Sequence, residues 1–371
     1  MTKLFNLMAI VMPLAYIAHV LSLRDANTGA YIKKNRSVWI MIAVIMILFA
    51  GLRTWYNDTG VYISQYNAIK VSSEDLFQVD WRLGRNPGFS VTNNILSYLG
   101  VSAQSFLLFY SAITIAIFLW FIRKYSDNLW LSAYLFIVIG PYLFSLAAVK
   151  QCFAMALCAV GVDRAIRKKW GSFVLWVLLA TLFHPYSLMY FIVPLMMYCP
   201  WSWKSYAILG LFIIIGFMLQ PLLGTVIDIT ALLGEEFEEA ALAGEGVNPF
   251  RFAVMLVPTV LSFFLQKAIR LRGDRTYNFF VNLTMINGAI MFVALFGTAN
   301  YFARLAKYFV IFQSLSLPWL LSCFEPKSKK LITAAAVICY ALFLYYDCGV
   351  VLPFDENYRS ISLLQYIHSF F

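Results

Sequence analysis

Apolar runs of roughly 20 residues recur along nearly all of this 371-residue chain, and nothing else in it restricts the possible folds so strongly. Helix of about that length is what a bilayer's hydrocarbon core requires. The runs cover about 4 to 23, 37 to 53, 104 to 122, 129 to 148, 151 to 166, 170 to 184, 185 to 199, 205 to 227, 251 to 267, 277 to 297, 303 to 323 and 331 to 346. Hydrophobic residues make up 62% and charged ones 12%, at a mean hydropathy of +0.76, which is more apolar surface than one water-facing core can bury. The expected fold is all-α and polytopic, with about 12 transmembrane helices and residues 1–371 forming one integral membrane domain. No repeat, low-complexity tract or soluble segment divides it. The first 23 residues lack a small-x-small cleavage site ahead of a polar segment, so they read as a first span.

Orientation follows from the basic residues, because loops rich in Lys and Arg stay in the cytoplasm. Alternate loops hold Arg24, Lys33, Lys34, Arg36, Arg123, Lys124, Arg164, Arg167, Lys168, Lys169, Lys204, Lys267, Arg270, Arg272, Arg275, Lys327, Lys329 and Lys330, against only five acidic residues. That set marks the cytoplasmic side and places both termini outside. The opposite loops are the longer ones: residues 54–103, residues 228–250 with Glu235, Glu236, Glu238, Glu239 and Glu245, and the tail 347–371. The net charge of +10 sits in short clusters between apolar runs, which suits a membrane surface and not a nucleic-acid face. The six cysteines lie mostly within apolar runs, with no CxxC pair, and read as membrane-core residues.

An ionisable group within or at the end of a span is costly and is a candidate for function. Arg53, Lys150 with Gln151, Arg251, and Arg304 with Lys307 and Tyr308 all fall at outer ends of spans. A snorkelling side chain is the plain alternative for each. Yet cations there run against the orientation rule, and together they suggest an anionic ligand approached from outside. His184 precedes Pro185 in the middle of one apolar stretch, where proline removes a backbone donor and disfavours helix. Each 15-residue half would reach only about 22 Å, short of a roughly 30 Å core. Two short segments meeting at a cavity fit the later basic clusters better than one kinked span; a buried histidine at a kink is the bland alternative. Asp58 follows Arg53 closely and either pairs with it or serves as a general base. Trp55, Tyr56, Tyr62, Tyr66 and Trp81 suit an interfacial belt and equally suit stacking on sugar rings. P-loop, GxSxG and HExxH patterns are missing, and no DxD pair stands in the first outer loop, which disfavours a metal-dependent nucleotide-sugar transferase.

Several phrases, in order, resemble the EpsG/Wzy-type family of bacterial polysaccharide polymerases. They are Gly51-Leu52-Arg53 with Asp58-Thr59 and Tyr62, Lys150-Gln151 through Ala154 to Arg167-Lys168-Lys169, Leu178 to His184, Arg304 to Phe309, and Tyr358-Arg359-Ser360. Two departures stand out: Tyr56-Asn57-Asp58-Thr59 where the family often has Gly-Thr-Asp-Tyr, and Lys150-Gln151 where it often has Arg-Gln, which keeps the charge but loses the guanidinium fork. The resemblance implies a GT-C-like membrane glycosyltransferase of the bacterial cytoplasmic membrane. It would join undecaprenyl-diphosphate-linked oligosaccharide repeat units at the outer face, without metal or cofactor, for O-antigen, capsule or exopolysaccharide. It further implies catalytic roles for Asp58, His184, Arg53 and Arg304, and substrate binding by Lys150, Gln151, Arg251, Lys307, Tyr308, Tyr62 and Arg85. A flippase and a chain-length regulator are the partners it suggests. A lipid-linked oligosaccharide flippase or transporter is the alternative from another class, and the long loop after Arg53 with no visible repeat argues against it. A glycan ligase shares the donor chemistry, and a membrane acyl- or mannosyltransferase is a third option.

Overall fold

The structure, a computed structural model, describes residues 1–25, 29–234 and 245–369, so Glu235, Glu236, Glu238 and Glu239 lie outside the described residues. Helix covers every apolar run. The strands among the described residues are two short antiparallel ladders, Leu23–Arg24 with Tyr31–Lys33 and Arg53–Trp55 with Arg359–Ser360. Helix starts carry the expected chemistry: Asn128 accepts from Leu131 N, Asp274 from Thr276 N and Tyr277 N, and prolines open Pro249–Phe264 and Pro326–Tyr345.

Continuous helix is scarcer than continuous apolar sequence. Among the described residues, four helices are long and apolar enough to cross a membrane: Thr2–Val20, Ala103–Tyr125, Arg275–Val293 and Pro326–Val351. Counting each bent pair as one span raises this to seven, with bends of 43° between Leu129–Val138 and Pro141–Ala147, 96° between Trp203–Phe217 and Leu219–Leu232, and 68° between Pro249–Phe264 and Gln266–Arg272. The expected count of about twelve is therefore not reached on helix length. Hydropathy registers apolar residues whether or not a helix runs straight through them. At Met218 the chain turns almost perpendicular, so the apolar run 205–227 is not one straight span.

Helix ends gather on two opposed faces. On one, Lys34 Nζ donates to Lys124 O at 2.9 Å, Tyr277 Oη to Tyr125 O at 2.6 Å, and Arg272 to Ser322 Oγ at 2.7 Å. On the other, the Met1 ammonium meets Asp355 at 2.8 Å, Arg251 meets Asp347 at 2.5 Å, and Arg53–Trp55 pairs with Arg359–Ser360. The loops grouped by charge in the sequence are thus grouped in space, with the N-terminus and the tail on the face away from the basic clusters. Of the six cysteines, all free, Cys152, Cys158 and Cys348 are buried, whereas Cys199 and Cys339 lie at exposed positions.

The chain breaks where His184-Pro185 predicted it. Helix Trp170–Thr181 stops, His184 is extended, and a 3-10 helix runs Pro185–Met196 back alongside. Its end, Met197 to Cys199, shares a cavity with Ile166 and Lys168 beside the start of Trp170–Thr181, so these are two antiparallel segments and not one kinked span. A 3-10 rise of about 2.0 Å per residue stretches twelve residues to roughly 24 Å, where α-helix would give about 18 Å.

Residues 54–103 are a folded cap more than a loop. They contain the helices Thr59–Asn67 and Pro87–Tyr98 and a 3-10 turn at Leu83–Arg85. Tyr66, Phe89, Phe106 and Tyr110 pack as one aromatic group beneath them. Gly88 N donates to Leu182 O at 2.8 Å, and a Cβ on Gly88 would sit 2.8 Å from Leu182 Cβ. Only glycine permits this approach, which fixes the cap against the turn carrying His184.

Candidate functional site

Four chain breaks on the same face bring the polar candidates together. Asp58 occupies the N-cap position of Thr59–Asn67 yet makes no side-chain capping bond, and Tyr62 lies one turn further on. The kink at Ala148 between Pro141–Ala147 and Val149–Ile166 presents Lys150 and Gln151. His184 sits in the extended joint before the 3-10 helix. Arg304 opens the helix Arg304–Val310 directly after a π-helical segment, Ala299–Ala303. Asp58, Val61, Tyr62, Gln65, Ala148, Lys150, Gln151, His184 and Arg304 line a single cavity of about 290 Å³.

Hydrogen bonds fix its walls. Gln151 Nε2 donates to Arg304 O at 2.7 Å, tying two elements far apart in sequence. Tyr308 Oη lies 2.8 Å from His184 Nδ1 and 3.4 Å from Ser187 Oγ, and Tyr308 O accepts from Tyr190 Oη at 2.6 Å. Tyr308 is fully buried and lines neither cavity, and the substrate-binding role expected for it gives way to a hydrogen bond that orients the imidazole.

The remaining candidates fall elsewhere. Arg53 has no exposed surface and lines no cavity on this face; its guanidinium donates to Thr59 Oγ1 at 3.1 Å, to Ser111 Oγ at 3.1 Å and to the Ala50 carbonyl. The Arg53–Asp58 pair does not form. Arg53 secures the start of the helix that carries Asp58 and, where contact with substrate was expected from the sequence, faces backbone and hydroxyl acceptors inside the protein. Arg251 and Lys307 line a second cavity of about 240 Å³ on the same face, with Tyr56, Asn57, Gly140, Phe144 and Asp347. Of the five cations expected around one pocket, Lys150 and Arg304 line the first cavity, Arg251 and Lys307 the second, and Arg53 neither. Arg85 is 54% exposed in the cap, 3.9 Å from Asp80, and lines neither cavity. Hydrogen bonds from Arg82 hold the neighbouring Asp80 carboxyl down at about 2, which makes this corner of the cap an ion-paired turn.

Val61 and Gln65 escaped the sequence reading, although positions 58, 61, 62 and 65 fall on one stripe at helical spacing. Ala148 carried no legible signal. Among the described residues, no group of three or more His, Cys, Asp or Glu side chains is assembled that could hold a metal ion.

A model of the EpsG family matches residues 37–366. The chain belongs to the EpsG family. The match takes in every residue lining both cavities and leaves out the whole of the helix Thr2–Val20. No significant match to a curated protein or to a solved structure accompanies it. In this EpsG-family chain the first cavity combines one carboxylate, Asp58, with two cations, Lys150 and Arg304, and a tyrosine-oriented imidazole. Such a set can take a proton from a hydroxyl and neutralise an anion beside it.

Proposed function

We propose that this chain is a membrane glycosyltransferase of the polysaccharide-polymerase type. It joins undecaprenyl-diphosphate-linked oligosaccharide units at the outer face of the bacterial cytoplasmic membrane. Membership of the EpsG family and the apolar helices support a multi-pass membrane enzyme of polysaccharide synthesis. In this reading the chain passes the helical layer about twelve times, short and 3-10 segments included, with both termini extracytoplasmic. The face holding Met1, Asp355 and the two cavities, opposite the basic loops, is the support for that sidedness.

One observation carries the proposal: Asp58, Lys150, Gln151, His184 and Arg304 come from four separate parts of the chain and meet in one cavity. The nonreducing-end hydroxyl of the acceptor attacks the anomeric carbon of the donor's reducing-end sugar. A new C–O bond forms there as the bond from that carbon to the diphosphate oxygen breaks, and the electron pair leaves with the lipid diphosphate. Asp58, the one carboxylate among the described residues lining the cavity, takes the hydroxyl proton. Lys150 and Arg304 meet the negative charge that grows on the leaving group; charge-assisted bonds of this kind are about twice as strong as neutral ones. His184, held through Nδ1 by Tyr308, presents a fixed ring to the sugar.

The test supplies purified protein in liposomes with lipid-linked repeat units and looks for a ladder of longer products. Asp58→Asn and Arg304→Ala should each abolish the ladder at unchanged protein level. A ladder from Arg304→Ala equal to wild type would remove the anion role, and transfer to a different acceptor with no ladder would favour a ligase.

A further inference from the structure

Each of the two cavities carries the same charge set. The first has Asp58 with Lys150 and Arg304; the second has Asp347 with Arg251 and Lys307. They share a wall, because Arg304 and Lys307 are three residues apart on one helix, and Asn57 of the second adjoins Asp58 of the first. Both also abut a π-helical segment, Ala299–Ala303 or Tyr346–Val351. The second pair, Arg251 and Lys307, is half-buried among mostly apolar residues, where cations are expensive to keep without an anion. In the second cavity a carboxylate already occupies such a position, since Asp347 Oδ1 is 2.5 Å from Arg251 Nε. That carboxylate stands where a phosphate oxygen would be stabilised. Around it Phe144, Phe343, Leu344 and Leu352 provide apolar wall, and Lys307 Nζ lies 5.9 Å from the Phe144 ring centroid.

Each step of polymerisation engages two substrates linked to lipid diphosphate and releases one lipid diphosphate, and one site can anchor only one of the two substrates. Resting on the polymerase reading, we propose that the second cavity anchors the diphosphate of the acceptor, the unit whose sugar hydroxyl attacks, while the first cavity anchors that of the donor. The two substrates then lie side by side on one face, and the donor's diphosphate departs from the first cavity while the acceptor stays attached through the second. Arg251 and Lys307 are binding residues in this scheme, and Asp347 yields its partner to the incoming phosphate.

The experiment measures the binding stoichiometry of a short-chain polyprenyl diphosphate, geranylgeranyl diphosphate, on the detergent-solubilised full chain, and runs the ladder assay separately. Wild type should bind two. Lys307→Gln, at wild-type melting temperature, should bind one, with the second affinity weakened about tenfold or more. Lys150→Gln should also bind one, and Lys307→Arg should keep two. One site in the wild type overturns the inference, as does a Lys307→Gln protein that binds two or none. A single site together with a normal ladder would leave the polymerase reading intact, whereas two sites without a ladder would remove the polymerase and leave paired diphosphate sites.

Discussion

Removing one buried hydroxyl separates orienting the histidine from binding the substrate. Tyr308→Phe keeps the ring that packs against Tyr190 and Phe309's neighbourhood, and keeps the backbone carbonyl that accepts from Tyr190 Oη. It deletes only the oxygen 2.8 Å from His184 Nδ1. A buried acceptor or donor left without its partner costs about 1–3 kcal/mol. If that cost falls on the arrangement needed in the transition state, turnover drops on the order of 5- to 150-fold, since about 1.4 kcal/mol is a factor of ten. The assay uses a donor lacking its nonreducing-end hydroxyl and an acceptor whose diphosphate cannot leave, so that one transfer occurs per pair. The expected result is a lower kcat with KM for both substrates within about twofold, the signature of an interaction made in the transition state. A raised KM at unchanged kcat would mean that the hydroxyl contacts substrate after all, and wild-type kinetics would mean that the ring's orientation does not matter; either refutes the positioning role.

Three further outcomes follow from the packing. Arg53→Ala strips the donors serving Ala50, Thr59 and Ser111 and should cost roughly 3 kcal/mol or more of stability, whereas the exposed Arg85→Ala should stay within about 0.5 kcal/mol; thermal unfolding in detergent compares them, and an Arg53→Ala protein that melts like wild type would place Arg53 in the chemistry instead. Gly88→Ala puts a Cβ 2.8 Å from Leu182 Cβ and 3.1 Å from its carbonyl oxygen, so overpacking of about 1–3 kcal/mol should shift the His184 turn and lower the ladder rate, with an unchanged rate arguing against the cap as a positioning element. Burial works to raise the Asp355 carboxyl, but hydrogen bonds from the Met1 ammonium and from Lys3 N and Thr2 N outweigh it and hold the group below its ordinary range. A depressed folded value means that its stabilisation is full above the unfolded pKa of about 3.9 and fades as pH falls through the folded one, so wild type and Asp355→Asn should differ in melting temperature near neutrality and converge in acid.

The sequence made the helices legible because apolar runs and their caps are local properties, and the two-faced grouping of loops legible because basic residues mark a side. The same one-dimensional view did not separate straight spans from bent ones. It had no means of seeing that Met218 turns the chain through 96° or that Gly140-Pro141 interrupts a run. At the site, Asp58, Tyr62, Lys150, Gln151, His184 and Arg304 were all named from charge, polarity and resemblance, and all line one cavity. Arg53 and Tyr308 were named on the same signals and lie beneath the surface, because a charge at the end of an apolar run looks alike whether it faces a ligand or braces the backbone. Arg251 and Lys307 were assigned to the first pocket for the same reason. Only the direction of each side chain divides them, and that is set by the packing around it.

Irregular backbone and the two cavities coincide, and a physical reason connects them. In hydrocarbon every backbone amide must be satisfied within its own segment, so departures from α-helix survive only where protein or a polar cavity surrounds them. Here the departures are the 3-10 helix Pro185–Met196, the π segments Ala299–Ala303 and Tyr346–Val351, and the kink at Ala148. Each borders one cavity or both: His184 and Ala148 line the first, Ala299, Ala303, Asp347 and Cys348 the second, and Arg304 continues the first π segment into the first cavity. A regular α-helix would carry these side chains along its axis at 1.5 Å per residue and spread them over the depth of the layer. Here the π segment gives way to α-helix at Arg304, and Arg304 and Lys307, one turn apart on that helix, line adjoining cavities. The backbone irregularities are therefore the means by which an apolar chain with few charged residues brings six of them to one face.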